Sequence, residues 1–520
     1  MQRATIREAD LFSLSFLVKE DDYVRPEHVK RYVEDTGNTW YKPTEYEKAA
    51  FEKAKEANLL SEEDGYYTLP RIKREEEVIA IYAAIKSHSK EREYPANVID
   101  IFIAQYEKKE KISLDVWQKD AVYQAMNHNI FILTGGPGTG KTCVLKCINY
   151  CLKKVHRMEN ILFTAPTGKA ARRITESVKV PAMTVAKALH LTSEDSVPKK
   201  LDCDAVIVDE ISMLDTRTCK ALFEATLNAK LILVGDVDQL PSVGYGSILR
   251  DLIDAGLPCT MLEKRFRQAS ESGLVANIEQ VGMGLNIGFI ERDDFAVYDV
   301  SSEEDAKNIM VEQFLEAIKT YGMEQVVCLT PYRKKGHLCS NNLNRILQDK
   351  LNPMNGQNYV RYKTTDTEGF EYTLELREGD PVMQLQNADK VANGDVGFVD
   401  TINPEKETVV VDYQGMKVTY FASNLGQLTL AYAMSVHKSQ GSEYDCVITS
   451  ALSSDMEVLS RNTIYTAITR AKKKCVVVTQ KDVAQKACKR ESGYERVTRL
   501  AQQINRQQLR LELTTKLCFN

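Results

Sequence analysis

The chain has 520 residues, 43% hydrophobic and 27% charged, and 68 basic against 73 acidic residues leave a net charge of −5. With 26 Gly and 14 Pro it is neither collagen-like nor low-complexity, and no apolar run approaches the roughly 18 residues of a membrane span. A global basic field is excluded, so any nucleic acid must be held in a local groove. The length suits about three to four domains, with cores that need no disulfides or structural metals. The opening MQRATIREADLF carries charge where a secretory core would be apolar, so no signal peptide is expected. Twelve cysteines without a CxxC pair read as reduced thiols of a cytoplasmic protein. Cys143, Cys147 and Cys151, four apart, read as the packed face of a helix, with a metal or redox site as the alternative.

Residues 1–110 read as helical and charged. One helix opens at Val24 to Val29 with Pro26 near its first turn, and Tyr46 to Leu60 forms another. Asp64-Gly65 then turns into a short strand, Tyr66 to Leu69, which suggests a winged-helix-like unit. Residues 72–108 read as one connecting helix. From 112 the texture changes. Ile130–Thr134, Ile161–Ala165, Ala205–Val208 and Leu231–Val234 are β-branched runs separated by helical stretches. A second such set is Val326–Leu329, Cys446–Thr449 and Cys475–Thr479. Both sets predict βαβ units in parallel sheets. Between them, Val382–Gln386, Val396–Ile402, Thr408–Asp412 and Val418–Phe421 predict an all-β insertion over 370–425. The stretch from Lys481 reads as a solvated helix.

Gly135-Gly136-Pro137-Gly138-Thr139-Gly140-Lys141-Thr142 matches G-x-x-x-x-G-K-[ST] between a predicted strand and a predicted helix. The glycines let backbone N–H groups turn towards a phosphate, and the helix N-terminus adds partial positive charge. Lys141 is expected on the β- and γ-phosphates and the Thr142 hydroxyl on Mg²⁺. An apolar strand ending in Asp209-Glu210 supplies the carboxylates that such a loop needs. Asp209 would hold Mg²⁺, and Glu210 would act as general base on the attacking water. Gln239 follows a third apolar strand, where an amide can orient water and report on the γ-phosphate.

Taken in order, these stretches resemble superfamily 1 helicases. Gln118 within Leu114 to Val122 resembles the adenine-reading glutamine, and Thr164 to Ala171 motif Ia. Val208 to Asp215 resembles motif II, Gly235 to Val243 motif III, and Arg265 to Gln268 motif IV. Val436 to Glu443 resembles motif V and Tyr465 to Lys472 motif VI. Thr330 to Gly336 with Asn344 and Leu351 to Pro353, and Gly379 to Gln384 with Asn393 to Gly397, point to the RecD-like 5′→3′ group.

The resemblance implies an α/β fold: two RecA-like P-loop parallel-sheet domains, a small SH3-like all-β insertion in the second, and a helical N-terminal region. The expected domains are 111–265, then 266–369 with 426–480, the insertion 370–425, and a helical tail over 481–520. ATP would lie between the two α/β domains, contacted by Gln118, Gly136 to Thr142, Gly441 and Glu443. Arg267 and Arg470 would meet transition-state charge. Single-stranded DNA would be gripped by Thr164, Pro166, Thr167, His190, Ser242 and Val243 in domain one, and by His437, Lys438 and Gln440 in domain two. For His190 a core histidine is the competing reading. Only Thr192 to Leu201 separate Leu191 from the motif II strand, so a short hairpin around Pro198 is the candidate wedge.

The expected activity is a Mg²⁺- and ATP-dependent DNA helicase or translocase, 5′→3′ by resemblance alone, working in repair or recombination on single strands and duplex junctions. An ATP-gated DNA-binding scaffold, or the motor subunit of a larger repair or nuclease complex, are the alternatives. Neither tandem helix-hairpin-helix elements before Gln118 nor a nuclease cluster of acids is legible. RNA helicases of this class carry a cysteine-rich zinc module, and none is seen here.

Overall fold

The computed structural model describes residues 26–35, 38–89, 93–192, 196–262, 271–285, 288–333, 338–365, 371–388, 390–490 and 496–519. Pro26 opens the first helix, Pro26–Asp35, where its missing N–H costs nothing. A nine-residue helix, Lys48–Glu56, is shorter than the stretch from Tyr46 to Leu60 that was expected. Strands β1 (Ser61–Glu63) and β2 (Tyr66–Thr68) form a hairpin around Asp64 and Gly65, both at positive φ as a tight primed turn requires. Val29, Val33, Phe51, Tyr67 and Ile72 close a small core of their own.

The connecting helix predicted over 72–108 is two helices, Pro70–His88 and Ala96–Glu110. Pro95 lies at the start of the second, since it can begin a helix but not continue one. The first is no spacer. Its Ile79, Ala80 and Ala83 are buried in the same core as the first parallel sheet. Lys86 Nζ, also buried, donates to the Thr226 and Ala229 carbonyls beyond the helix Thr216–Ala225, a favourable place for a cation.

The first sheet contains β3 (Ile130–Gly135), β4 (Ile161–Ala165), β5 (Ala182–Thr184), β6 (Ala205–Val208), β7 (Lys230–Gly235) and β8 (Cys259–Leu262). Its order is β5-β4-β6-β7-β3-β8, parallel throughout. Helices cover both faces, so β3, β6 and β7 are buried along their whole length. The second parallel sheet begins with β9 (Phe295–Val300) and β10 (Val326–Thr330). The chain then leaves it through the hairpin β11 (Tyr359–Thr365) and β12 (Glu371–Arg377). Next comes a five-stranded antiparallel sheet: β13 (Pro381–Gln384), β14 (Val396–Asn403), β15 (Thr408–Tyr413), β16 (Met416–Tyr420) and β17 (Leu428–Leu430), in the order β16-β15-β14-β13-β17. It returns through β18 (Ala433–Ser435), β19 (Tyr444–Ala451) and β20 (Ala471–Gln480), giving the parallel order β18-β10-β19-β20-β9. The β elements thus extend past 370–425 on both sides. Tyr362 donates its hydroxyl to the Leu425 carbonyl and β17 pairs with β13, so the flanking strands belong to the same body.

The C-terminal helix Leu500–Phe519 is not the solvated helix expected. Leu500 and Ile504 are fully buried against the helix Pro70–His88 and the core of the first sheet. One aliphatic pair at i, i+4 is enough to seat a helix whose other faces stay polar. Cys147 and Cys151 are buried on the packed face of Lys141–Val155, and no His, Cys, Asp and Glu grouping suited to a metal occurs among the described residues. Among those residues, no helix is long and apolar enough to cross a membrane.

Candidate active site

The phosphate loop joins the buried end of β3 to the helix Lys141–Val155. Gly138 and Gly140 take positive φ, 77° and 90°, a conformation that glycine reaches without penalty. Thr139 Oγ1 donates to the Gly136 carbonyl at 2.8 Å and braces the turn. Lys141 Nζ lies over its own loop, on the carbonyls of Gly135 and Gly136. Gln118, buried, closes a capping box with Asp115 and donates its side-chain N–H to the Thr139 carbonyl at 3.2 Å. The predicted adenine reader is thereby fixed beside the phosphate loop. Pro137 and Thr142 are only partly buried in the same turn.

Asp209 and Glu210 follow β6. Glu210 sits at φ 54°, a strained position for a side chain larger than glycine, and its N–H donates to Asp209 Oδ1 at 2.9 Å. Burial and the adjacent Glu210 push the Asp209 carboxyl up to about 6, against the pull of Arg173 and Lys141. Burial strips such an acid of water, a cost that a bound cation would offset.

The loop after β7 carries Asp236 and Gln239, both buried. Asp236 accepts from Tyr465 Oη at 3.1 Å and from the Gln239 amide at 3.4 Å. Asn462 Nδ2 donates to the carbonyls of Asp238 and Gln239, at 3.0 and 3.2 Å. Leu240 donates its N–H to Thr466 Oγ1 and accepts from Gln440 Nε2, each at 2.8 Å. The expected sensor loop of the first α/β domain is therefore held by the helix Arg461–Thr469 and the motif V segment of the second. Arg470 is buried, its guanidinium donating to the carbonyls of Thr466 and Ser442 and to Thr469 Oγ1. Arg267 lies outside the described residues.

Arg173 was not singled out from the sequence. From the helix Gly168–Val178 it reaches Glu443 of the second domain at 2.5 Å and Glu210 of the first at 3.9 Å. Gly441, at φ 72°, lies against Thr167 and Ala170 of the same helix, where an added Cβ would come within 3.4–3.5 Å. Arg496 was missed too. It donates to the carbonyls of Ser242, Gly244 and Gly246, and it borders a cavity of about 250 Å³ with Gln239, Asp251 and Asn462. Its only sequence signal was a basic residue after the last predicted strand.

The expected DNA grips divide. Pro166 and Thr167 are partly exposed, with Thr167 Oγ1 capping the helix through the Ala170 N–H. Val243 is 83% exposed, and His437 is exposed beside the partly buried Lys438. His190 is exposed at φ 56°, so it is not a core histidine. Three residues point elsewhere. Thr164 is buried and donates to the Ile207 carbonyl on β6. Ser242 is covered by Arg496. Gln440 is used up on Leu240. Each polar group served a neighbouring chain segment that a linear motif does not display. Around Pro198 the described residues form no hairpin.

Comparison with known proteins adds three family models in chain order. Residues 118–245 match an AAA domain, 343–413 an ATP-dependent RecD-like DNA helicase SH3 domain, and 430–478 a UvrD-like helicase C-terminal domain. The ATP-dependent RecD2 DNA helicase of Deinococcus radiodurans is 34% identical over 70% of this chain. In these segments the chain resembles RecD-like helicases. It spans about half of that relative's length, 49%. The RecBCD enzyme subunit RecD of Mycobacterium tuberculosis is 27% identical over 69% of this chain and 68% of its own. A solved Pif1 helicase from Bacteroides is 18% identical, covering 74% of this chain and 95% of that one with a TM-score of 0.48. The RecD-like SH3 match begins at 343, within the helix Ser340–Leu351 that precedes β11, and so also starts before 370.

Proposed function

We propose that this RecD-like chain is an ATP-dependent DNA helicase motor that moves 5′→3′ along single-stranded DNA. The observation that carries the reading is the grip of Tyr465, Asn462, Thr466 and Gln440 on the Asp236–Leu240 loop. A change at the nucleotide is thereby passed to the domain that bears His437 and Lys438.

The residues suit Mg²⁺ and ATP. The glycine turn leaves a cradle over which the Lys141 ammonium lies, and Asp209 carries a carboxyl that burial and the neighbouring Glu210 raise. Lys141 and the loop N–H groups would hold the phosphates, Thr142 and Asp209 the metal, and Gln118 the adenine, with Gly441 and Glu443 bordering from the second domain. When bound, Mg-ATP supplies the phosphoryl group that water accepts. Glu210 takes the proton from that water, Gln239 orients it, and Arg470 with Arg267 balances the charge that develops. Pro166, Thr167, Val243, His437 and Lys438, together with the exposed His190, would form the single-strand grip, which reads backbone and not base sequence.

Work on single strands and duplex junctions in the cytoplasm, in repair or recombination, follows from this reading. The motor-subunit alternative is favoured by exposed aliphatic pairs at i, i+4: Ile81 with Ile85, and Leu509 with Leu513. They lie on two helices packed against each other, where a repair or nuclease partner could dock.

The deciding experiment compares wild type with Glu210→Gln for ATP hydrolysis with and without single-stranded DNA, and for displacement of duplexes with 5′ or 3′ tails. The variant should lose about 10²–10⁴-fold in turnover, the worth of a general base. Wild type should displace only from 5′ tails. DNA-independent hydrolysis without displacement from either tail would overturn the motor and leave a scaffold.

A further inference from the structure

We propose that Arg173 is a positioning residue that joins the hydrolytic base Glu210 to Glu443 of the second α/β domain, so that the base is set only when that domain is in place. The proposal rests on the ATP-hydrolysing site described above and assigns a residue that none of its motifs contains.

The geometry is specific. One guanidinium addresses both carboxylates with different nitrogens, Nη2 towards Glu443 at 2.5 Å and Nη1 towards Glu210 at 3.9 Å. A planar fork suits two acids at once in a way that a lysine ammonium does not. The two acids lie on segments 233 positions apart, so only the assembled cleft brings them to one arginine. Glu210 has little else to orient it. It sits in a left-handed conformation, and its own N–H is turned onto Asp209. Arg173 also lies on a helix whose N-terminus carries Thr167 and packs against Gly441. Six residues of one rigid element, fewer than two turns and about 9 Å at 1.5 Å per residue, therefore separate Thr167 of the candidate DNA grip from Arg173. A shift of the second domain would move Glu443, and with it the arginine, before it changed the phosphate loop.

The step that depends on Arg173 is proton transfer from water to Glu210. Misplacing a base by about an ångström costs up to roughly 10²-fold in rate while leaving nucleotide affinity alone. The test measures kcat and KM for ATP, with and without single-stranded DNA, in Arg173→Gln, Arg173→Lys, Glu443→Gln and the Arg173→Gln/Glu443→Gln double variant. Melting curves and binding of a fluorescent ATP analogue on the same samples confirm that each is folded and takes nucleotide. Arg173→Gln should lose 10–100-fold in kcat with KM within twofold. Arg173→Lys should recover part of that loss, because an ammonium can meet one acid but not both. Glu443→Gln should lower kcat, and the double variant should fall no further than Arg173→Gln, as expected of residues acting as a unit. An unchanged kcat, a loss confined to KM, or losses that multiply in the double variant would each overturn the positioning role. Wild-type hydrolysis that ignores DNA would sink the motor reading while these comparisons still decide the role of Arg173. A wild type that hydrolyses no ATP would sink both.

Discussion

Glu76 is fully buried where the N-terminal unit, the helix Pro70–His88 and the C-terminal helix meet. Its Oε2 accepts from Trp40 Nε1 at 2.7 Å and from Gln503 Nε2 at 3.4 Å, while Oε1 has no partner. Burial pushes the carboxyl up to about 7, against those hydrogen bonds. The folded state thus keeps a proton that the unfolded chain releases near pH 4. The stabilisation is complete below about pH 4 and is lost as pH rises to about 7, on the order of 3 kcal/mol over that window. Melting temperature should therefore decline from pH 5 to 8, and Glu76→Gln should flatten part of that slope; equal slopes would refute it. Asp251, raised by burial to about 8, leaves a residual slope of the same sign. Neither acid could be found from the sequence, because their environments are built by residues hundreds of positions away. The same holds for Arg173 and Arg496. Lys141, Asp209 and Glu210 were legible because a phosphate loop and a strand-end carboxylate write their local backbone directly into the sequence.

At the scale of elements, the central strands were readable because a sheet covered on both faces needs uninterrupted β-branched runs. The margins were not. The hairpin β11–β12 alternates polar with apolar residues, and Leu500 with Ile504 is too sparse a stripe to distinguish a docked helix from a solvated one. How the antiparallel insertion seats on the motor was also hidden. The segment between β13 and β14 lies on the helix Gly168–Val178, with Arg172 donating to the Lys390 carbonyl at 3.2 Å and pairing with Asp395 at 2.8 Å. Asn393 accepts from Lys438 Nζ at 3.1 Å, so the same loop reaches both α/β domains. The close approach depends on Gly168, where a Cβ would lie 2.0 Å from the Ala392 methyl. Gly168→Ala should therefore unseat the loop or strain the helix, costing about 1–3 kcal/mol as overpacking does. Adding Ala392→Gly removes the clashing methyl and should restore most of that loss in thermal unfolding. A double variant as unstable as Gly168→Ala would refute this seat and place the defect in the helix itself.

Over the whole molecule, the orientation of the two α/β domains decides what each motif residue can touch. Gln440 has the right chemistry for DNA, yet it faces Leu240 because the second domain is closed on the sensor loop. With Thr164 and Ser242 also turned inward, few residues remain for the proposed grip: Pro166, Thr167 and Val243 of the first α/β domain, His437 and Lys438 of the second. A net charge of −5 gives no background field to add to it. The proposed single-strand binding should therefore be only weakly salt-dependent. Single strands release about 0.7 counterion per phosphate neutralised. Two to four contacts then give a slope of about −1.5 to −3 in log K against log salt. Lys438→Ala should make that slope shallower by roughly 0.7 while weakening binding evenly across sequences. Fluorescence anisotropy of a labelled oligonucleotide between 50 and 300 mM salt, with about 0.1 mM of a non-hydrolysable ATP analogue present, would measure both. A wild-type slope near −6 would mean that a broad basic surface outside this groove binds the strand, and the grip assigned here would fail as the main contact. A slope unchanged by Lys438→Ala would remove that lysine from the phosphate path and leave its bond to Asn393 as its role.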